Sequence, residues 1–256
     1  QEFSDLEISN LNELIAFRNA VNAGNTFKNQ TVTVTADINM ESVENWTPIG
    51  TSANPFKGTF DGGDNTISDL NVVGENNVGL FGYATEANIK NVKIVNANVK
   101  GTDCVAALIG QGYASTYIDN CHVSGSIQVE GQTNVGGIVG KYYARVTNSS
   151  VIGDGVATSY VKGTYKAEDF EGDNIGGIMG HAGENNTHSG NTVKNITISG
   201  TRKVGGLIGT TDRATDIDAC LVDNVVIGCT AEENYANDKA STTTLGGLVG
   251  NYYGES

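Results

Sequence analysis

Two segments of this 256-residue chain combine aromatic, acidic and basic side chains that could form a ligand site. They are two long connections, about residues 153–173 and 228–243, with two cations between them. Aromatic platforms, carboxylates and a cationic floor suit a sugar, or a cation held by the acids. Two tolerated insertions that pack on each other are the alternative. The candidate ligand-binding residues are Tyr165, Glu168, Asp169, Phe170, Arg202, Lys203, Glu232, Glu233 and Tyr235.

Tyrosines at matching places in a repeat form a second candidate surface. Tyr113, Tyr143 and Tyr253 each lie three residues after a glycine that closes a repeated phrase. On a solvated corner their rings could face a sugar, or they could stabilise the corner by stacking on each other. We favour the structural explanation and keep the aromatic strip as a secondary hypothesis.

The sequence shows no set of residues at a spacing typical of a catalytic site. His122 lies in a predicted strand, and His181 and His188 lie in a segment that reads as a polar loop; none has a partner at metal-site or triad spacing. We therefore expect a protein that is not an enzyme and that has no catalytic residues, metal or other cofactor. The acidic turn at residues 61–65 could hold Ca²⁺ in principle, but aspartates that serve a tight turn explain it better.

A short glycine-rich phrase, present in six copies, must position these candidates. The copies read NVGLFG, CVAALIG, NVGGIVG, NIGGIMG, KVGGLIG and TLGGLVG, and they close at Gly82, Gly110, Gly140, Gly180, Gly209 and Gly250. Periods of 28 to 41 residues and short strand-like bursts are typical of stacked repeats. We predict an all-β protein, a right-handed parallel β-helix (solenoid) of about six rungs with up to three strands per turn.

Residues 1–60 differ from the repeats and are predicted to cap the first rung with a strand, a helix and a strand. Asn10 and Glu13 have the spacing of a capping box, and Gly24 suits a helix C-terminus, so the helix should span about residues 11–22. This α-helical cap is continuous with the β-helix at 61–256, effectively as one domain. We expect a monomer whose C-terminal rung could make an end-to-end contact with another chain.

A second signature follows the glycine phrase, in which apolar residues flank one polar position. Side chains stacked there could bond to their own image one rung away. From Asn195 to Gly209 is 14 positions, against 31 or 32 in the two copies with long connections. This predicts a short, recessed rung between two protruding loops. The ladder positions are Asn91, Asn120, Asn148, Asn195 and Ala219.

The runs VTADINM, FKGTFDGGDNTISDLNV and NVGLFGY resemble the start of the GLUG-repeat β-helix proteins, and the resemblance covers about residues 32–250. Members of that family are exported bacterial surface proteins often labelled adhesins, so the resemblance implies a right-handed β-helix and a secreted or surface location. Related repeats occur in immunoglobulin A-cleaving metallopeptidases, whose catalytic part is a separate HExxH domain. No HExxH motif occurs here, and CVAALIG departs from the pattern by replacing Gly-Gly with Ala-Ala.

Composition limits the partners. A net charge of −14 argues against nucleic acid and anionic membranes, and no apolar run is long enough to be a transmembrane segment. The first residue is Gln, which would fit a removed export signal or a chain that has been shortened at this end. We expect a non-catalytic, adhesin-like surface or secreted module that binds a glycan or a host or matrix component, with carbohydrate or extracellular protein as partner. The alternatives are a β-helical stalk of a larger surface protein and a polysaccharide-acting enzyme.

Overall fold

The computed structural model describes residues 5–164, 173–183, 186–212, 215–229 and 244–252. Within these ranges the chain forms one helix, α1 (Leu11–Asn22), and 28 strands. The strands are β1 (Leu6–Ile8), β2 (Thr31–Val34), β3 (Ile38–Asn39), β4 (Thr59–Asp61), β5 (Thr66–Val73), β6 (Asn76–Val78), β7 (Phe81–Thr85), β8 (Asn88–Lys90), β9 (Lys93–Lys100), β10 (Asp103–Ala106), β11 (Ile109–Tyr113), β12 (Thr116–Asp119), β13 (His122–Gly131), β14 (Thr133–Gly136), β15 (Val139–Lys141), β16 (Ala144–Thr147), β17 (Ser150–Gly153), β18 (Tyr160–Gly163), β19 (Asn174–Gly176), β20 (Met179–Ala182), β21 (Thr187–Ser189), β22 (Thr192–Gly200), β23 (Lys203–Gly205), β24 (Ile208–Thr211), β25 (Asp216–Asp218), β26 (Leu221–Cys229), β27 (Thr244–Gly246) and β28 (Val249–Tyr252).

The strands stack into four sheets, because each strand pairs in parallel with its counterpart one turn away. Sheet A runs β1-β2-β4-β8-β12-β16-β21-β25, and sheet C runs β7-β11-β15-β20-β24-β28. Sheet D runs β6-β10-β14-β19-β23-β27, and sheet B contains β3, β5, β9, β13, β17, β18, β22 and β26. The protein is an all-β parallel β-solenoid of about seven turns, which confirms the predicted fold class. Its handedness stays a prediction.

Each copy of the glycine phrase forms two strands rather than one. In NVGGIVG, β14 ends at Gly136 and β15 begins at Val139, so the chain turns inside the phrase. A Cβ at Gly136 would lie 2.0 Å from the carbonyl oxygen of Val139, which leaves no room for a side chain. A full turn therefore passes through sheets D, C, A and B, and has four strands where we predicted up to three.

The interior is a column of apolar side chains stacked in register. Val135 of sheet D pairs with Val105 on one side and Ile175 on the other, and all three are fully buried. Ile138, at the turn inside the phrase, is buried as well. The side chains on both sides of Gly136-Gly137 thus face the core, as predicted.

The N-terminal helix forms over the predicted residues. The Asn10 side chain accepts a hydrogen bond from the Glu13 backbone N–H at 3.1 Å, and Glu13 accepts one from the Ser9 N–H at 2.6 Å. Phe17 of α1 packs edge-on against the ring of Phe27. These contacts anchor one face of α1 on the first turns, whereas the predicted division of the chain at residue 60 stays a prediction.

The polar ladder begins as predicted. The Asn120 amide donates to Asn91 Oδ1 at 2.9 Å, and both residues have a left-handed backbone, with φ of 51° and 53°. Asn148 occupies the next position with φ of 50°, but its amide donates to Asp119 Oδ1 at 2.9 Å rather than to Asn120. Asparagine suits such corners because it tolerates the left-handed region.

Asn195 does not belong to this ladder, which corrects the sequence analysis. Strand β21 pairs with β16, so the next corner residue is Gly190, with φ of 67°. Asn195 lies within β22 of sheet B, where it accepts a hydrogen bond from Asn224 at 2.8 Å. From Gly190 to Gly209 is 19 positions, as from Asn91 to Gly110, so this rung has ordinary length and the predicted recess is wrong.

Apolar side chains of the last described turn are partly exposed to solvent. Leu245 and Leu248 are 50% and 44% exposed, whereas Val204 and Leu207 one turn earlier are fully buried. Contact of this end with another chain stays a prediction. In the part of the chain that the structure describes, the helix is too short and too polar to cross a membrane.

Candidate functional site

A cleft of about 410 Å³ opens where sheet C turns into sheet A. Tyr113, at the end of β11, and Tyr117, in β12, are 43% and 47% exposed. We call this hollow the tyrosine cleft, and its lining consists of Tyr113, Ala114, Ser115, Thr116, Tyr117, Tyr143, Arg145 and Asn186.

The backbone around the tyrosine cleft adopts conformations that non-glycine residues rarely take. Ala114 and Ser115 have φ of 27° and 52°, and Tyr142 has φ of 82°. The corner is held by the Thr116 hydroxyl, which donates to the Tyr113 carbonyl at 2.7 Å. Such strain persists only where surrounding contacts enforce it, and it is frequent at binding sites.

Three tyrosine rings are packed against one another beside the cleft. The rings of Tyr142 and Tyr143 stack at 5.1 Å with an interplanar angle of 4°, and Tyr113 meets Tyr143 edge-on at 5.6 Å. Lys141 Nζ lies 4.4 Å from the Tyr142 ring centroid, and a Cβ at Gly183 would lie 2.7 Å from the Tyr143 ring. The structure thus brings Tyr113 and Tyr143 together, and Tyr253 lies outside the described residues.

Arg145 stands beside Tyr117 in sheet A, where the two residues are directly paired. Within the described residues the Arg145 guanidinium makes no ion pair, although the chain has 29 acidic and 15 basic residues. Sequence reasoning missed both residues. The available signal was their shared place in the signatures YIDN and RVTN, one turn apart and on the outward side of the strand.

The predicted floor residues Arg202 and Lys203 lie next to a buried carboxylate. Asp173 accepts hydrogen bonds from the backbone N–H groups of Thr201 and Arg202, the latter at 2.6 Å. Burial raises the Asp173 pKa, while these hydrogen bonds oppose the shift. Arg202 and Lys203 are half-buried at the start of β23.

The remaining residues of the predicted two-loop site belong to the two intervals between described ranges. The described part of the chain stops at residue 164 and resumes at 173, and it stops at 229 and resumes at 244. The following predicted site residues lie outside the described residues: Tyr165, Glu168, Asp169, Phe170, Glu232, Glu233 and Tyr235.

The histidines lie in strands and not in a polar loop, which corrects the prediction for two of them. His188 of β21 is fully buried; its Nδ1 accepts the Val146 N–H at 3.3 Å, and its Nε2 has no partner among the described residues. Burial, and then the charge of Arg145, lower the His188 pKa to about 4. His181 of β20 contacts Asp212 at 2.9 Å, and burial lowers its pKa although the carboxylate acts in the opposite direction.

The aspartate side chains of the acidic turn at residues 61–65 make contacts within the protein. Asp61 pairs with Lys90 and Asp64 pairs with Lys93, each at 3.2 Å. Asp61 also accepts the Gly63 N–H at 2.9 Å, the bond expected of an aspartate that serves its own turn. Across the described ranges, no three His, Cys, Asp or Glu side chains cluster closely enough to hold a metal ion.

Proteins of similar sequence include immunoglobulin A1 proteases. The chain is 28% identical over 213 residues to the immunoglobulin A1 protease of Streptococcus sanguinis, which covers 77% of this chain and 10% of that protein. It is 29% identical over 137 residues to halomucin of Haloquadratum walsbyi, covering 47% of this chain and 2% of that protein. The chain thus spans about a tenth or less of these relatives. No protein-family model matches, so the GLUG repeat is not confirmed.

A solved structure supports the fold. The crystal structure of a candidate immunoglobulin A1 protease from Bacteroides ovatus superposes with a TM-score of 0.62, covering 100% of this chain and 85% of that one. At 16% identity this likeness shows the fold alone.

These comparisons overturn the expected function. The sequence analysis predicted a non-catalytic, adhesin-like module and no enzyme, because no catalytic constellation was visible. That prediction is wrong, since the similar proteins carry the name of a protease. The reasoning failed because a chain that matches a tenth of an enzyme need not contain the motif by which the enzyme is recognised.

Proposed function

We propose that the chain belongs to a protein-cleaving enzyme of the immunoglobulin A1 protease kind, in which the solenoid holds the immunoglobulin substrate. The observation that carries this proposal is the similarity to the streptococcal protease over 77% of the chain. The enzyme would act outside the cell or at its surface, where immunoglobulins are present. The contact would be with an extracellular protein and the carbohydrate it carries.

The tyrosine cleft is the surface on which we place this contact. Tyrosine is enriched where proteins bind each other, because a ring buries much area and loses little conformational freedom. Tyr113 and Tyr117 are exposed, yet their strands and the strained corner at Ala114-Ser115 hold them in place. A rigid aromatic surface of this kind loses little entropy when a partner binds. Arg202 and Lys203 remain a proposed second contact for the same substrate.

We expect immunoglobulin A1 to bind the purified chain, and the double substitution Tyr113→Ala, Tyr143→Ala to weaken binding by about tenfold or more, as loss of aromatic anchors does. The matched control is Tyr160→Ala, which removes a half-buried tyrosine from sheet B, away from the cleft. Biolayer interferometry gives the dissociation constants, and thermal melting shows that all variants are folded.

Cleavage is tested separately, with the protein expressed from its complete gene. We expect it to cut immunoglobulin A1 into discrete fragments on a denaturing gel, and the cleft variant to cut with a raised KM. Intact immunoglobulin after prolonged incubation would overturn the assignment to a protease. Binding that is equal in the cleft variant and the control would overturn the role given to the solenoid.

A further inference from the structure

We propose that the tyrosine cleft and a second hollow beside it form one elongated site for an acidic oligosaccharide. A carboxylate-bearing sugar would bind at Arg145, and the neighbouring sugar would lie across Tyr117. The inference rests on the proposed function, because it names the chemical group on the substrate that this cleft recognises.

The second hollow, of about 170 Å³, shares Tyr117 with the tyrosine cleft. Tyr117 of β12 pairs with Asn88 of β8 on one side and with Arg145 of β16 on the other. Adjacent strands lie roughly 4.8 Å apart, so Asn88, Tyr117 and Arg145 form a row about 10 Å long across three turns. That row suits an extended ligand with one unit on each side of the tyrosine.

The two ends of the row differ in charge and in hydrogen-bonding capacity. Arg145 is exposed and makes no ion pair among the described residues, so its planar guanidinium can take a carboxylate through two parallel hydrogen bonds. In the second hollow, Lys90 already pairs with Asp61 at 3.2 Å, and Asp119 Oδ1 accepts from Thr147 and Asn148. The acidic unit therefore belongs at Arg145 and a neutral unit at Asn88.

The residues that line the cleft favour a carboxylate-bearing sugar over other kinds of anion. Tyr113 and Tyr117 are exposed and can offer ring faces to the C–H face of a sugar, and their hydroxyls, with Asn186, can bond to its hydroxyl groups. A polyanion such as nucleic acid or polyphosphate needs several cations, and Arg145 is the one cationic residue among the described residues that line this cleft. The net charge of −14 repels such ligands further. One carboxylate on an otherwise neutral ligand matches a single arginine.

The test is titration calorimetry of the chain with 3′-sialyllactose and with lactose, which differ by the carboxylate-bearing sugar. We expect 3′-sialyllactose to bind about tenfold or more tightly than lactose, the difference that one charge-assisted pair provides. Arg145→Gln should remove this preference and Tyr117→Ala should weaken both ligands. The control Lys100→Gln removes an exposed cation from sheet B and should change neither. An aldobiouronic acid, which joins one uronic acid to one neutral sugar, serves as a second carboxylate-bearing probe.

Several results would overturn the inference: no binding of either acidic probe, equal affinity for lactose and 3′-sialyllactose, or a preference that survives Arg145→Gln. Tighter binding of a glutamate-rich peptide than of both acidic sugars would also overturn it, because the ligand would then be polypeptide. The proposed function fails on different readouts, namely immunoglobulin A1 binding that does not depend on Tyr113 and Tyr143, or absence of cleavage.

Discussion

Replacing Val135 by Asp should leave the chain unfolded in dilute buffer at neutral pH. The Val135 side chain is fully buried between Val105 and Ile175 of the adjacent turns. A carboxylate there has no partner, and burial of an unpaired charge costs several kcal/mol against a typical stability of about 5–15 kcal/mol. Because each turn packs only on its neighbours, the defect also interrupts the column of apolar side chains.

Two control variants isolate the charge as the cause. Val135→Ile should be tolerated, because Ile175 occupies the same register position one turn later. Gln111→Asp puts the same charge on the outward side of β11, in register with Lys141, and should change stability by about 0.5 kcal/mol or less. Circular dichroism and urea unfolding give the measurement. A Val135→Asp chain that melts like the parent would contradict the inward placement.

Acid should destabilise the chain through His188 over a defined pH range. The folded pKa of about 4 lies below the usual value of 6.5, so folding favours the neutral imidazole. The resulting stability is fully present above about pH 6.5 and is lost as the pH falls towards 4. The difference corresponds to about 3 kcal/mol in the free energy of unfolding. Below that range the folded protein also binds the proton, and the loss levels off.

The matched variant is His188→Asn, whose side-chain oxygen can still accept the Val146 N–H. It should lower stability at pH 7, because it leaves a smaller side chain in the core. Its stability should nevertheless fall by about 3 kcal/mol less than that of the parent between pH 6.5 and 4. Urea midpoints measured across this range give the comparison. Identical pH profiles for the two proteins would show that His188 is not the responsible group.

The repeated phrase was sufficient to predict the solenoid, because its glycines mark a turn of the backbone that recurs every 28 to 41 residues along the sequence. Gly136 has no room for a Cβ, although the CVAALIG copy makes the same turn with Ala106 at the paired position. The number of strands per turn was harder to predict. The chain turns inside the apolar glycine phrase, and no polar residue there separates the strand of sheet D from the strand of sheet C. The helix at Leu11–Asn22 was predictable because the Asn10 and Glu13 pair is local in sequence.

The prediction of the polar ladder was wrong at one turn, because the residues of that turn do not show the usual pattern. In the segment THSG, a histidine takes the inward position and a glycine takes the corner, so the strand looked like a polar loop. The signature was then assigned to Asn195, one strand too late. A fully buried histidine is uncommon, and nothing in its sequence neighbours distinguishes it from a solvated one.

The candidate site was predictable only where it repeats. Tyr113 and Tyr143 share an offset from the closing glycine, and their rings meet at 5.6 Å. Tyr117 and Arg145 lie on two adjacent strands of sheet A next to that corner, and their part in the cleft depends on how sheets C and A meet. The proposed enzyme class could not be derived from these residues, since the proposal rests on similarity to a much longer protein.

The measurement that tests the central claim most directly is amide hydrogen exchange of the chain with and without immunoglobulin A1. If the solenoid holds its substrate through the tyrosine cleft, exchange should slow at residues 113–117 and 141–146 on binding. The outer face of sheet B, for example β9 and β13, should exchange at unchanged rates. Protection confined to sheet B, or no protection at the cleft at saturating immunoglobulin, would contradict the claim.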